Sequence, residues 1–295
     1  MPAKKTTPPT TTPSAASAPD TELIHPTAII DPRAKLGRNV TIGPFAVLEG
    51  EVTLGDGCLV QSHAVITGRV VMGKNNHVGY GAIIGGWPQD FSFDPKTDSG
   101  VIIGDSNTFR EYSTIHRGTA DGTDTVVGSG NFLMGGAHLG HNVKLGDHIV
   151  IANNCLLAGH VEVGSRAFLG GGSVFHQFMR IGAFAMVRGG CRFGQDIPPY
   201  LIATGENCVA GLNVVGLRRN NFTSEQRAEL KAAFKLLYLS GLNVSQALEE
   251  SAKREWSTEG REFFDFVGKA DKRGLCRVER KASAGAGGGS ANART

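Results

Sequence analysis

His138, His141, His160 and His176 lie in one stretch of the chain, together with Gly159 and Gln177. Imidazole titrates near neutral pH, so it can take a proton from a weakly acidic hydroxyl or, as the neutral ring, bind a metal ion. Spacing decides which of these side chains can act together. His141, Gly159 and Gln177 are evenly spaced, and Asn142, His160 and Phe178 follow them at the same interval. In a chain that stacks on itself at that interval, the first three share one column and the second three share the next. His141 and His160 then stand one layer apart and one residue across, within reach of a single bound molecule. His25 and His148 lack such company and read as solvated turn residues.

The stacking period is written in the apolar residues. An aliphatic or large apolar side chain returns every six positions from Ile24 to Ile84, again at Ile103, Phe109 and Ile115, and again from Val127 to Phe193. All 26 sampled positions are apolar in a chain that is 40% hydrophobic, which excludes chance. A helix would repeat every three to four residues and a strand every two. Six fits a short strand followed by a tight bend, and Gly follows the apolar residue in 14 of the 26 units, where it could adopt positive φ. Three units close a triangular coil, which is the interval between the stacked histidine-bearing positions. Coils stack about 4.8 Å apart into a parallel β-helix. Neighbour contacts must supply the stability, since one coil cannot bury its own apolar edge.

The frame breaks twice, so protruding loops are expected at 85–101 and 117–125 of a β-helix spanning 22–200. Thr223-Ser-Glu-Gln226 has the form of a capping box, followed by Leu230, Ala233, Phe234, Leu237 and Tyr238 at helical spacing. Further helices are expected near Ser245–Glu255 and Thr258–Lys269, giving a small C-terminal α-helical domain over 201–280. Residues 1–21 and 281–295 are low-complexity and read as disordered tails. The five cysteines are odd in number and form no CxxC pair, which points to buried thiols in a reducing compartment, the cytoplasm. Lys4 and Lys5 precede no apolar core, so no secretory leader is expected. A net charge of +3 gives no argument for nucleic acid, and no apolar run approaches the roughly 20 residues of a membrane span.

Several ordered motifs carry a specific resemblance. They are Thr114-Ile-His116-Arg-Gly-Thr119, His138-Leu-Gly-His141, Asn153-Asn-Cys-Leu-Leu-Ala-Gly159-His160, His176-Gln177-Phe178, Gln195-Asp-Ile-Pro-Pro-Tyr200 and Asn213-Val-Val-Gly-Leu-Arg-Arg219. Over about residues 24–277 the chain resembles the acyl-[acyl-carrier-protein]:UDP-N-acetylglucosamine O-acyltransferases of lipid A synthesis. The resemblance implies a mainly β fold, a left-handed parallel β-helix of hexapeptide repeats, and a homotrimer. It also implies transfer of a 3-hydroxyacyl chain from an acyl-carrier-protein thioester to the 3-hydroxyl of UDP-N-acetylglucosamine, with no cofactor and no metal. By resemblance His141 is the general base and the Gly159 N–H stabilises the oxyanion. Gln89, Asp90, His138, His160, His176, Gln177, Asn213 and Arg219 match substrate-binding positions, and Gly189 matches the one that limits acyl length. Arg218, Arg219, Lys231 and Lys235 are candidates to meet an acidic carrier protein.

Three departures bear on substrate choice. Ser92 stands where the family usually has Lys, Asn207 where a His is common, and Asn142 follows the base where an Asp is often found. Without an adjacent carboxylate, a backbone carbonyl is the expected orienting group for His141. The alternatives are a related hexapeptide transferase that N-acylates a 3-amino sugar nucleotide or uses another acyl donor, a three-histidine zinc hydratase on the same scaffold, and a non-catalytic β-helix.

Overall fold

The computed structural model describes residues 23–279, and the tails expected at 1–21 and 281–295 lie outside the described residues. Up to Phe193 the backbone alternates strands of two to four residues with turns. These strands fall into three sheets of nine, nine and eight members, and three later strands extend the first sheet to twelve. The first sheet starts at Leu23–Ile24, the second at Ile29–Ile30 and the third at Lys35–Leu36, so consecutive strands belong to consecutive faces. The three parallel faces close a left-handed β-helix of triangular section.

Register follows the three-unit period where the frame is intact. Leu139 pairs with Leu157, Leu157 with Phe175, and Phe175 with Phe193. At the frame breaks the separation between partners grows, as where Val78 pairs with Phe109 and Phe109 with Leu133. The surplus chain is extruded as the two loops, and the ladder itself stays continuous. Inside, Ile42, Val60, Val78, Phe109, Leu133, Ile151, Leu169 and Val187 form one fully buried column. Each such side chain contributes about 1.5–3 kcal/mol on burial, which is what holds coil on coil.

The glycine after the apolar residue has a different job from the one its sequence position suggested. Gly85 apart, positive φ falls two residues later, at Asn39, His63, Asn142, His160 and Phe178 among others. The glycine is required because coil backbones meet there. A Cβ on Gly140 would lie 2.8 Å from the Gly159 nitrogen, and one on Gly170 would lie 2.4 Å from the Gly189 nitrogen.

Past the coil, Leu201–Thr204 and Cys208–Leu212 form an antiparallel hairpin that continues the first sheet, so the region from 201 is not wholly helical. Four helices follow: α1 (Val214–Arg219), α2 (Ser224–Tyr238), α3 (Val244–Ser251) and α4 (Thr258–Gly268). The Thr223/Gln226 capping box starts α2, which buries Leu230, Ala233, Phe234 and Leu237. Helix α3 stops short of Glu255 because the Trp256 indole N–H donates to the Ser251 carbonyl at 2.8 Å and the ring packs on Phe264. The helices are tied to the coil by Arg180. Its guanidinium bonds the almost fully buried Asp196 carboxylate at 2.6 and 2.8 Å, donates to the Phe266 carbonyl and lies over the Phe266 ring. Among the described residues no helix is long and apolar enough to cross a membrane.

Candidate active site on one corner of the coil

The histidines gather at the corner between the second and third sheets. His138–Leu139, Leu156–Leu157 and Val174–Phe175 are successive strands of the second sheet, and each leads into a turn at this corner. The turn residues Asn142, His160 and Phe178 all have positive φ, which fans neighbouring side chains outward. Backbone bonds from His160 N to His141 O and from Phe178 N to Gly159 O fix the turns one above another at 2.9 Å. The His160 ring stacks flat on Phe178 with centroids 4.4 Å apart, and its edge meets His141 at 5.1 Å.

Gly159 is where the His141 ring rests. A Cβ at 159 would lie 2.3 Å from Cε1 and 2.4 Å from Nε2 of His141. Among the described residues the Gly159 N–H has no protein acceptor, and the same is true of the equivalent N–H of Gln177 one coil on. The turn therefore leaves a donor without a protein partner beside the imidazole.

The group that orients His141 is a side chain, not the backbone carbonyl expected from the missing carboxylate. Asn142 Oδ1 lies 3.0 Å from His141 Nδ1. The same oxygen accepts from the Thr119 backbone N–H at 3.2 Å and from the Thr119 hydroxyl at 3.0 Å. A backbone N–H can only donate, so the Asn142 atom facing it must be the amide oxygen. His141 Nδ1, facing that oxygen too, must then carry its proton. The lone pair is left on Nε2, the atom above Gly159.

Burial disfavours the charged form of the surrounding imidazoles. Burial, reinforced by His138 and His141, pushes His116 from 6.5 down to about 4. His138 is lowered by burial, and His160 by burial with help from His141 and Lys144. His138 is positioned by the Thr114 hydroxyl at 2.8 Å and by an edge contact with the His116 ring. Among the described residues no three His, Cys, Asp or Glu side chains converge as a metal-ligand set.

The 85–101 loop brings Asp90 towards this corner. Its carboxylate accepts from the Ser92 N–H at 2.9 Å and hydroxyl at 2.7 Å; these bonds, and more weakly the charge of His141, lower its pKa. Ser92, at the position of the family's usual Lys, thus fastens Asp90, with the exposed Gln89 beside it. The nearly buried Arg117 anchors the loop, donating to the Pro95 carbonyl at 3.3 Å and facing the Phe93 ring. Asn207, where a His is common, caps the next turn by accepting from the Gly194 and Gln195 N–H groups.

Not every sequence candidate arrives at this corner. His138, His141, Gly159, His160, His176 and Gln177 do, with Asp90 nearby. Gly189 lies on the corner between the first and second sheets, across a face whose outward row includes the exposed Leu156 and Val174. Asn213 lies at the third corner, where its amide caps α1 through Gly216 N and donates to the Phe184 carbonyl. Arg219 is exposed at the end of α1. One chain therefore leaves Asn213 and Arg219 a full face away from the histidines. The roles of His116, Arg117, Thr119 and Asn142 at the site were missed, although all but Asn142 sit in a motif already noticed and Asn142 adjoins another.

The same architecture occurs in known proteins. The family model described as UDP-N-acetylglucosamine O-acyltransferase, domain 2, matches residues 196–276, and the bacterial transferase hexapeptide model matches 33–68 and 124–159. The acyl-[acyl-carrier-protein]–UDP-N-acetylglucosamine O-acyltransferase of Burkholderia lata is 45% identical over 86% of this chain and 99% of its own. The chain belongs to this acyltransferase family. Among solved structures, the UDP-N-acetylglucosamine acyltransferase of Francisella novicida is 36% identical with a TM-score of 0.83, covering 86% of this chain and 94% of that one. The enzyme from Bacteroides fragilis is 38% identical with a TM-score of 0.81, covering 86% and 99%. The match spans both the acyltransferase's coil and its helical domain, so the histidine corner and the segments that dress it lie inside the shared architecture.

Proposed function

We propose that this acyltransferase moves a 3-hydroxyacyl chain from acyl-carrier protein to the 3-hydroxyl of UDP-N-acetylglucosamine, the first step of lipid A biosynthesis. The observation that carries this reading is the free Nε2 of His141 beside the Gly159 N–H, which has no protein acceptor among the described residues, a base and an oxyanion donor side by side. Nε2 takes the proton of the 3-hydroxyl as the oxygen attacks the thioester carbon. The carbonyl oxygen becomes an oxyanion, and the Gly159 N–H is aimed to receive it. Collapse expels the carrier thiolate, which regains a proton from the His141 imidazolium. His138, His160, His176, Gln177, Gln89 and Asp90 line the substrate path. The acyl chain runs along the exposed Leu156 and Val174 towards Gly189, where the lack of a side chain leaves room.

A homotrimer completes the reading. Asn213 and Arg219 belong to another corner of the same chain, so a neighbouring copy would have to present them to the histidines, with Arg219 offering its donor fork to phosphate. The five free cysteines, four of them buried, suit the cytoplasm. The test is incubation of purified protein with UDP-N-acetylglucosamine, its 3-amino analogue and a mixture of acyl-carrier proteins, followed by mass analysis of the product. An ester at the 3-position, with turnover falling by several orders of magnitude in a folded His141→Ala variant, is expected. Absence of turnover with every carrier thioester, or a fully active variant, would refute the proposal.

A further inference from the structure

The end of the chain delivers a cation to the histidine corner. After α4 the backbone folds back onto the coil: Asp196 N donates to Gly274 O, Cys276 N to Asp196 O, and the Gln195 amide to Arg273 O. This stitching projects Arg273 onto the third layer of the corner. Its guanidinium Nη1 lies 3.1 Å from His176 Nδ1, and the group faces the Phe178 ring at 5.6 Å. Through Phe178 and His160, Arg273 is continuous with the stack that ends at His141.

The charge there is poorly neutralised. The Arg273 side chain is three-quarters buried, at 25% exposure, and among the described residues its one carboxylate neighbour, Asp271, is 3.8 Å away and 54% exposed. The close contacts are the His176 ring nitrogen and the Phe178 ring face. A guanidinium has five donors in a rigid fork suited to phosphate, and these contacts leave most of the fork open.

We propose that Arg273 is a substrate-binding residue that receives a phosphoryl oxygen at the far end of the histidine corner. The proposal rests on the acyl-transfer reading above. Both substrates carry phosphate, and reach favours the donor. Arg273 sits beyond His176, which is two coils past His141, or about 10 Å at the usual strand spacing. The 3-hydroxyl of the sugar nucleotide is about five bonds, roughly 6 Å, from its nearer phosphorus. The thioester sulfur of a carrier's pantetheine arm is about thirteen bonds, roughly 16 Å, from its phosphodiester. The longer arm spans the gap with length to spare, whereas the sugar nucleotide's second phosphorus, about seven bonds or roughly 9 Å from the 3-hydroxyl, only just reaches it.

The experiment measures KM for acyl-carrier protein and for UDP-N-acetylglucosamine separately in full-length Arg273→Ala and Arg273→Lys. Calorimetric titration with phosphopantetheine and with UDP accompanies the kinetics. Loss of a charge-assisted hydrogen bond predicts a tenfold to hundredfold rise in donor KM and a matching loss of phosphopantetheine affinity in the alanine variant, with partial recovery in the lysine variant. A rise in the nucleotide KM and weaker UDP binding instead would keep the phosphate role and move it to the acceptor. Unchanged KM and affinity for both, or a fall in kcat and melting temperature alone, would overturn the proposal. The titrations need no turnover, so they decide the role of Arg273 even if the acyl-transfer reading fails.

Discussion

A methyl group on Gly159 would point straight at His141. The backbone at 159 is outside the left-handed region, so alanine is conformationally permitted there, but its Cβ would lie 2.3 Å from Cε1 and 2.4 Å from Nε2 of the imidazole. Carbon–carbon contacts want about 3.5 Å, so the ring must move by about 1 Å. It cannot do so and keep its 3.0 Å bond to Asn142, because the Asn142 oxygen is itself pinned by Thr119. A misplacement of that size costs about a hundredfold in rate, or roughly 2.7 kcal/mol of barrier. Alanine keeps the backbone N–H, so loss of the oxyanion donor would not account for the effect. The assay is kcat/KM for Gly159→Ala with carrier thioester and UDP-N-acetylglucosamine. Gly194→Ala serves as control, because a Cβ there meets nothing nearer than His176 Cβ at 3.8 Å. In a His141→Ala background the second substitution should add almost nothing. Activity within threefold of wild type, or full additivity of the two losses, would refute the idea that Gly159 exists to seat the imidazole.

The same corner sets two further expectations. Thr119→Val removes one of the three donors on Asn142 Oδ1, worth about 1 kcal/mol, so turnover should fall about fivefold and recover in Thr119→Ser; an unaffected valine variant would remove Thr119 from the orienting chain. Stability should depend on the depressed histidines. His116 binds its proton near 4 in the folded protein and near 6.5 when exposed, so the unfolded state takes up more protons between those values. The unfolding free energy should therefore fall as pH drops from about 6.5 to 4, by about 3 kcal/mol for His116 alone and in the same direction for His138 and His160. Chemical denaturation across this range checks it, and a His116→Gln variant whose slope matches the wild type would contradict the assignment.

The legibility of the site followed the geometry of the stack. His141 and Gly159 pair across one plain coil, where sequence separation converts directly into distance, and counting repeat units brought them together before any coordinate did. Thr114 and His138 are further apart in sequence than one plain coil because the short loop intervenes, yet they are direct strand partners, and simple counting passes over that pair. The turn glycines were recognised by position but given the wrong task. Periodicity reports that a small residue is needed, and only the stacked backbones show that the need is close approach. Asn142 illustrates a subtler limit. Its identity signalled a missing carboxylate, whereas the direction of its amide depends on Thr119, carried in by an extruded loop.

The sequence by itself determined the coil, its register away from the loops and the column of histidines, because each follows from a short-range repeat in which every unit meets only its neighbours. Tertiary structure alone decided which nitrogen of His141 is free, how the 85–101 loop is latched by Arg117, why Asn213 and Arg219 stand apart from the histidines, and that Arg273 reaches back along the chain to His176. Those contacts join segments whose separation obeys no period. They arise from how loops and helices fold back onto the stack, and that depends on packing such as the Arg180–Asp196–Phe266 junction.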